Sequence, residues 1–168
     1  MDGNTCCFIG HRKVNDVASV TERIKPVVME LLVQGISRFL FGSRSEFDDI
    51  CLSVITELKK NYPEIVRVYV RSQYPEISDM YNKYLLEGYD ETVFPKGVEN
   101  AGRASYIERN EYMIENCSVC VFYYDDTYKP VIKKAANSHL PDIQPKSGTK
   151  TAFEYAVKKK KKIINVFI

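Results

Sequence analysis

The sequence predicts a doubly wound α/β fold with a mostly parallel sheet of five or more strands and helices on both faces. Short apolar runs alternate with longer amphipathic segments along the 168 residues. This alternation is typical of right-handed strand–helix–strand units, which build parallel sheets. Hydrophobic residues make up 45% of the chain and charged residues 27%, as in ordinary globular proteins. We therefore expect a single domain over residues 1–168.

Each element is predicted from its own pattern. Five apolar runs have the length and composition of buried strands. They cover residues 5–9, 38–41, 66–70, 119–124 and 163–168. Helical spacing of apolar residues predicts helices over 20–33, 47–60, 77–86, 104–115 and 151–161. Pro63 ends the second helix, because a proline disfavours helical backbone in the residue before it.

One long segment, residues 125–146, lacks either pattern and contains Pro130, Pro141 and Pro145. Loops of this length in compact domains are usually lids or binding loops, or else disordered. We predict an insertion here that acts either as a lid or as a passive, oligomer-packing loop.

Charge and composition limit the partners and the location. Lys and Arg number 24 and Asp and Glu 22, so the net charge is only +2. This balance disfavours nucleic acid as a partner. The apolar runs are shorter than the roughly 18 residues of a membrane span. The N-terminus lacks the basic and apolar regions of a secretory signal, which predicts a cytoplasmic protein. The lysine run 158–162 is interpreted as a solvated helix end rather than a nucleic-acid or lipid patch.

The five cysteines are expected to be reduced in such a compartment. Cys6 and Cys7 are neighbours in a predicted strand and should point to opposite faces. Cys117 and Cys120 have CxxC spacing, but a buried-strand pattern follows Cys120 rather than a helix. This context favours plain packing over redox or metal chemistry. We predict neither a catalytic metal, because too few ligand residues cluster, nor a cofactor.

Polar and small residues follow several predicted strands, at the sheet edge where open parallel sheets bind ligands. They are Gly10, His11 and Arg12 after the first strand, Gly42, Ser43 and Asp48 after the second, Asp125 after the fourth, and Ser147, Gly148, Thr149 and Thr151 before or within the last helix. A glycine lets backbone approach a ligand, and a helix N-terminus attracts anions. Each feature alone is also explained by a tight turn or a helix cap. Their convergence predicts a phosphate-binding site.

Four segments carry a resemblance to a known family: residues 6–12, 41–48, 106–113 and 147–154. Together they resemble the SLOG superfamily, and within it the YpsA-like branch, over nearly the full length of the chain. The superfamily is Rossmann-like and includes the LOG-type nucleoside-monophosphate phosphoribohydrolases and the DprA DNA-processing proteins. The resemblance implies a site for a nucleotide or nucleotide-derived ligand and a tendency to associate.

The resemblance also implies roles for particular residues. The Glu-Arg-Lys pattern of LOG-type enzymes is matched by Glu108, Arg109 and Asn110, and their Gly-Gly-x-Gly-Thr-x-x-Glu motif by Ser147, Gly148, Lys150, Thr151 and Glu154. Arg109 and Glu154 would then be catalytic, and Asn110 would bind ligand. Arg103 is seven residues before Asn110 and shares its helix face. The alternatives are a surface ion pair for each arginine and, for Glu154, a capping box with Thr151.

We therefore expect a sensor or regulatory module that binds a nucleotide-like phosphate ligand. The alternative is a hydrolase of the N-glycosidic bond of a nucleoside monophosphate, with Asp48 or Asp125 assisting proton transfer. Ser147 and Lys150 at glycine positions favour the first function, and DNA binding is disfavoured by the charge. A homo-oligomer, most simply a dimer, is predicted from aromatic residues that a lone domain cannot easily bury. These are Tyr74, Tyr81, Tyr84 and Tyr89.

Overall fold

The computed structural model describes residues 3–42, 45–130 and 146–168. Strands and helices alternate along this part of the chain. They are β1 (Thr5–Gly10), α1 (Val17–Val33), β2 (Arg38–Phe41), α2 (Glu46–Lys59), β3 (Val66–Val70), α3 (Asp79–Gly88), β4 (Glu91–Val93), α4 (Ser105–Glu115), β5 (Val119–Tyr123), α5 (Gly148–Lys158) and β6 (Lys162–Asn165). Two 3₁₀ turns, Lys96–Val98 and Gly102–Ala104, lie between β4 and α4.

The strands form one parallel sheet in the order β4-β3-β2-β1-β5-β6. The chain adds β2, β3 and β4 on one side of β1 and then crosses to add β5 and β6 on the other. The order reverses between β1 and β5, which leaves a crevice at their carboxyl ends. The predicted Rossmann-like fold class is confirmed. Strand β4 was not predicted, because its three residues are too few to show a strand pattern.

The core has one layer on each face of the sheet. Phe8, Phe39 and Phe41 lie against α1 and α2 and stack with ring centroids 5.2–5.9 Å apart. The second layer lies under α4 and α5 and includes Met113 and Ala156. Cys6 belongs to the first layer and Cys7 to the second, as the alternation of side chains along a strand predicts.

Helix α5 begins earlier than the sequence predicts. Ser147 is its N-cap, and the Ser147 hydroxyl accepts a hydrogen bond from the backbone N–H of Lys150, 3.0 Å away. The helix ends at Lys158, and Lys160, with a φ of 53°, turns the chain into β6. The lysine run therefore spans the whole connection rather than only a helix end.

Two further sequence predictions concern membrane-spanning helices and the long insertion. In the part that the structure describes, no helix combines the length and the apolar character needed to cross a membrane. Most of the insertion predicted over 125–146 lies outside the described residues, and its role as a lid or a packing loop stays a prediction.

Candidate functional site

A cleft of about 650 Å³ opens at the carboxyl edge of the sheet, above the crevice between β1 and β5. Small-molecule sites commonly measure about 300–1,000 Å³. Among the described residues that line it, four are basic and none is acidic: Arg12, Arg71, Arg109 and Lys146. Five of the lining residues are tyrosines: Tyr69, Tyr74, Tyr81, Tyr106 and Tyr128. This lining suits a ligand that combines an anionic group with an aromatic one.

Two glycines allow the close packing of the cleft floor. A Cβ atom on Gly10 would lie 2.4 Å from the ring of Phe47. A Cβ atom on Gly42 would lie 2.6 Å from both the Arg109 Nε and the Met113 Sδ. Real Cβ atoms do not approach other atoms so closely, so any larger residue at position 42 must displace the guanidinium. Gly42 therefore fixes the position of a cation in the cleft wall.

Arg109 is the most buried of the four basic residues, with only 5% of its surface exposed. Its Nη1 donates to the carbonyl of Gly42, and its Nη2 donates to Asn110 Oδ1 at 2.9 Å. Tyr106 places its ring 5.4 Å from the guanidinium carbon. Burial lowers the pKa of Arg109, while the nearby Asp48 carboxylate favours the charged form. The guanidinium stays charged, because its ordinary pKa is so high.

Asp48 lies behind the cleft rather than in its lining. It is 2% exposed, and its carboxylate accepts a hydrogen bond of 2.9 Å from the Ser45 hydroxyl. Ser45 is the N-cap of α2 and does line the cleft, although the sequence analysis did not single it out. Asp48 thus lies close enough to Arg109 to stabilise its charge, and Ser45 is the member of the pair that faces the cleft.

His11 and Asp125 meet where β1 and β5 end. The backbone N–H of Asp125 donates to His11 Nε2 at 3.0 Å. Burial lowers the pKa of His11, which favours the neutral ring. The hydrogen bond that Nε2 accepts from Asp125 assigns the proton of that neutral ring to Nδ1. The Tyr128 ring lies 4.3 Å from the imidazole, centroid to centroid. The Asp125 carboxylate accepts instead from Thr127, at 2.6 Å from its hydroxyl, and is not part of the lining.

The first residues of α5 form one end of the cleft. Ser147, Gly148 and Thr149 line it, and a Cβ atom on Gly148 would find no atom within 4 Å. Within the described residues, no hydrogen bond takes the backbone N–H of Gly148 or Thr149. The N–H groups at a helix N-terminus and the positive end of the helix dipole together attract anions. The open space at Gly148 gives a ligand direct access to them.

Glu154 and Thr151 lie outside the lining. The Glu154 carboxylate accepts from Lys146 Nζ at 2.6 Å, and that lysine does face the cleft. This hydrogen bond lowers the pKa of Glu154, so the group is ionised. The capping interpretation of Glu154 is wrong, because Ser147 is the N-cap and the third helical residue is Lys150. The Thr151 hydroxyl donates to the carbonyl of Ser147 at 3.2 Å.

The remaining predicted residues are placed as follows. Gly10, His11, Arg12, Gly42 and Asn110 line the cleft together with Arg109. Arg103 lies on the 3₁₀ turn before α4, and Ser43 lies outside the described residues. Arg71, Gln73 and the five lining tyrosines were not predicted as site residues, although Tyr74 and Tyr81 were singled out as candidate contact residues. Applying the strand-end rule to β3, as to its neighbours, points to Arg71-Ser72-Gln73-Tyr74.

The fold and the cleft define the class of this protein: a Rossmann-like α/β protein with a cationic, tyrosine-lined cleft at the switch point of its sheet. In comparisons with known proteins, no family model and no curated protein matches the chain.

Proposed function

We propose that the cleft binds a nucleoside phosphate and that the protein acts as a sensor or regulatory module for this ligand. One observation carries the proposal: among the described lining residues, four are basic, none is acidic and five are tyrosines. Such a surface favours a ligand that carries both negative charge and a flat aromatic group. The resemblance to the SLOG superfamily leads to the same expectation and stays a prediction.

The phosphate belongs at the end of the cleft formed by α4 and α5. Arg109 offers a buried guanidinium there, and Gly148 and Thr149 offer backbone N–H groups. A helix N-terminus carries about half a unit of positive charge, which adds to these donors. Lys146 supplies a further cation, shared with Glu154. Packing holds Arg109 and the Ser147 cap holds the first turn of α5, so these two groups of donors need little rearrangement to meet a phosphate.

The base belongs at the opposite end, between β3 and α3. Tyr69 and Tyr81 line this end, and Gln73 Nε2 donates at 3.0 Å to the hydroxyl of Tyr106, whose ring lies between this end and Arg109. Aromatic faces bind any base by stacking, while the amide and hydroxyl groups can discriminate between bases by hydrogen bonding. The two ends of the cleft thus match the two ends of a nucleotide.

Hydrolysis of the N-glycosidic bond is the less supported function. It requires a carboxylate beside the reacting bond to stabilise positive charge or to activate water. None of the described lining residues is acidic, and the Glu154 carboxylate is already paired with Lys146. Lys150 also stands where the LOG-type motif has its third glycine. These features favour binding without turnover.

A thermal-shift screen tests the proposal. The protein is heated with nucleoside mono-, di- and triphosphates, with the matching nucleosides and with inorganic phosphate. We expect nucleotides to raise the melting temperature most, because ligands that bind the native state stabilise it. Each ligand is then recovered and examined for free base, which would support the hydrolase. A screen in which no phosphate-bearing ligand stabilises the protein contradicts the proposal.

We also propose that the chain forms a homo-oligomer, most simply a dimer. On α3, Met80 is 81% exposed and Tyr84 is 55% exposed, which is unusual for large apolar side chains of a monomer. Tyr74 is exposed too, whereas Tyr81 lines the cleft and Tyr89 stacks on Tyr69 at 5.1 Å. Sedimentation equilibrium should give twice the chain mass of 19.4 kDa. The mass of a single chain would refute this part of the proposal.

A further inference from the structure

A cluster of three cysteines lies in the core beneath α4 and α5. Cys117 Sγ is 3.5 Å from Cys7 Sγ and 3.4 Å from Cys120 Sγ. All three sulfurs lie within 4.8 Å of one another, and each residue is at most 1% exposed. Cys7 of β1 is directly paired with Cys120 of β5, which brings a third sulfur to the CxxC pair. The sequence spacing alone shows only two of the three.

The other two cysteines provide a contrast within the same chain. Cys6 and Cys51 are equally buried, but both lie in the core layer on the α1 and α2 face of the sheet. A buried free cysteine usually acts as a small apolar residue. Here, in contrast, sulfurs from β1, from β5 and from the segment before β5 converge on one point. Together they form a set of ligands for a thiophilic ion.

We propose that Cys7, Cys117 and Cys120 form a three-coordinate site for copper(I). Soft thiolate ligands select copper(I), zinc or iron–sulfur clusters among biological metals. Zinc in structural sites almost always has four ligands. Among the described residues, no histidine, aspartate, glutamate or further cysteine joins this group of three. A site that has three sulfur ligands and is closed off from water therefore fits copper(I) best.

The spacing of the sulfurs is close to what the ion needs. Metal–thiolate bonds near 2.3 Å place the three sulfurs of a planar trigonal site about 4.0 Å apart. The separations of 3.4 and 3.5 Å must therefore widen by about half an ångström. Small rotations of the cysteine side chains about their Cα–Cβ bonds can produce this change without moving the strands.

A cation lies beside the cluster. Lys161 Nζ donates to the carbonyl of Cys117 at 2.7 Å and to that of Glu115 at 3.1 Å, which holds a cation beside the site. The hydrogen bonds among the three sulfurs lower the pKa of Cys117, whereas burial raises the pKa of Cys7 and the contact with Cys117 raises that of Cys120. Each sulfur that ligates the ion gives up its proton to water. No electron is transferred, since the ion enters as copper(I).

The cluster is separate from the cleft. None of the three cysteines lines the cleft, and the nearest lining residue on their face of β1 is Ile9, two residues or about 7 Å along the strand from Cys7. Metal binding and nucleotide binding can therefore be tested independently.

The test is an anaerobic titration of the full chain with copper(I), buffered by the chelator bathocuproine disulfonate. We expect one ion per chain. Replacing Cys117 or Cys120 with Ala should weaken binding by more than about 100-fold, since even outer partners of a metal ligand cost about 10- to 100-fold. The controls Cys6→Ala and Cys51→Ala also remove buried thiols, but they should bind copper(I) as the unaltered chain does.

Two further measurements keep the test decisive. Circular dichroism identifies the variants that remain folded. If the alanine variants do not fold, Cys117→Ser replaces them, because serine is closer in size to cysteine. Lys161→Met should bind more weakly, because it removes the adjacent cation. The proposal is overturned if the chelator retains all the copper, if the Cys117 variants bind as tightly as the controls, or if zinc displaces copper(I) from the site.

Discussion

The two ends of the cleft are built differently, although both belong to one binding surface. At the α4 and α5 end, the charged groups are fixed: Arg109 is buried against Gly42, and the Ser147 cap sets the first turn of α5. At the β3 and α3 end, the aromatic groups lie on the surface. Tyr74 there is 65% exposed and has a φ of 60°. If the cleft binds a nucleotide as proposed, this contrast predicts a fixed phosphate site beside an adaptable base site.

Arg71 holds the adaptable end in place. Its Nη1 donates to the carbonyl of Tyr74, and its Nε donates to the Thr92 hydroxyl at 3.1 Å. The Arg71 side chain thus ties the segment after β3 to the sheet, whereas the fixed end depends on a helix cap, a buried cation and core packing. We expect changes at the fixed end to have the larger effects on affinity.

Replacing Arg109 with Met should cause the largest loss. It removes the buried charge while keeping an unbranched side chain of similar length. Charge-assisted hydrogen bonds contribute about 1.5–3 kcal/mol, so nucleotide affinity should fall by about 10- to 150-fold. Calorimetric titration measures the change. Arg109→Lys is the companion variant, and it should recover part of the loss because it restores the charge without the planar guanidinium. Equal affinity in all three proteins would show that phosphate does not bind at this end.

Replacing Gly148 with Val should cost tenfold or more in affinity while leaving the fold intact. The new side chain points into open space in the cleft, where no protein atom lies within 4 Å. It therefore blocks the approach of a phosphate to the α5 N–H groups, each of which contributes about 1.5–3 kcal/mol to an anion. Gly97→Val is the control, because Gly97 also has open space but lies away from the cleft. Titrations in which the two variants bind alike would contradict the phosphate assignment.

Replacing Tyr81 with Leu should produce a smaller effect that depends on the ligand. Aromatic contacts contribute about 0.5–1.5 kcal/mol beyond burial, so nucleotide affinity should fall by about two- to tenfold. Binding of inorganic phosphate should not change. Tyr84, which stacks on Tyr81 at 6.2 Å but does not line the cleft, provides the control Tyr84→Leu. A matching loss of phosphate affinity in Tyr81→Leu would remove the distinction between the two ends.

The smallest effect concerns His11, at the junction of the two ends. Burial lowers its pKa below the unfolded value of about 6.5. A group with a lowered pKa stabilises the fold above the unfolded value and loses that contribution as the pH falls through the folded value. Melting temperatures between pH 7.5 and pH 5 should therefore fall more in the unaltered chain than in His11→Gln. His139 is present in both proteins and cancels in this comparison. Parallel pH profiles would show that His11 is not perturbed.

The alternation of strands and helices and the polar edge of the sheet follow from local sequence patterns, which is why they could be predicted. Gly10, His11, Gly42 and Gly148 were found because each follows a strand or begins a helix. The depth of Arg109 could not be predicted, since it depends on Gly42, which is 67 positions away. The third sulfur of the cysteine cluster likewise depends on the pairing of β1 with β5. Local patterns identify residues, but only tertiary contacts determine which of them meet.

The central claim is that one ligand occupies both ends of the cleft. Calorimetry with a nucleoside monophosphate, the matching nucleoside and inorganic phosphate tests it most directly. We predict that the monophosphate binds more tightly than either fragment and that Arg109→Met removes most of the difference between monophosphate and nucleoside. A nucleoside that binds as tightly as its monophosphate would contradict the account, because the cations of the α4 and α5 end would then have no role.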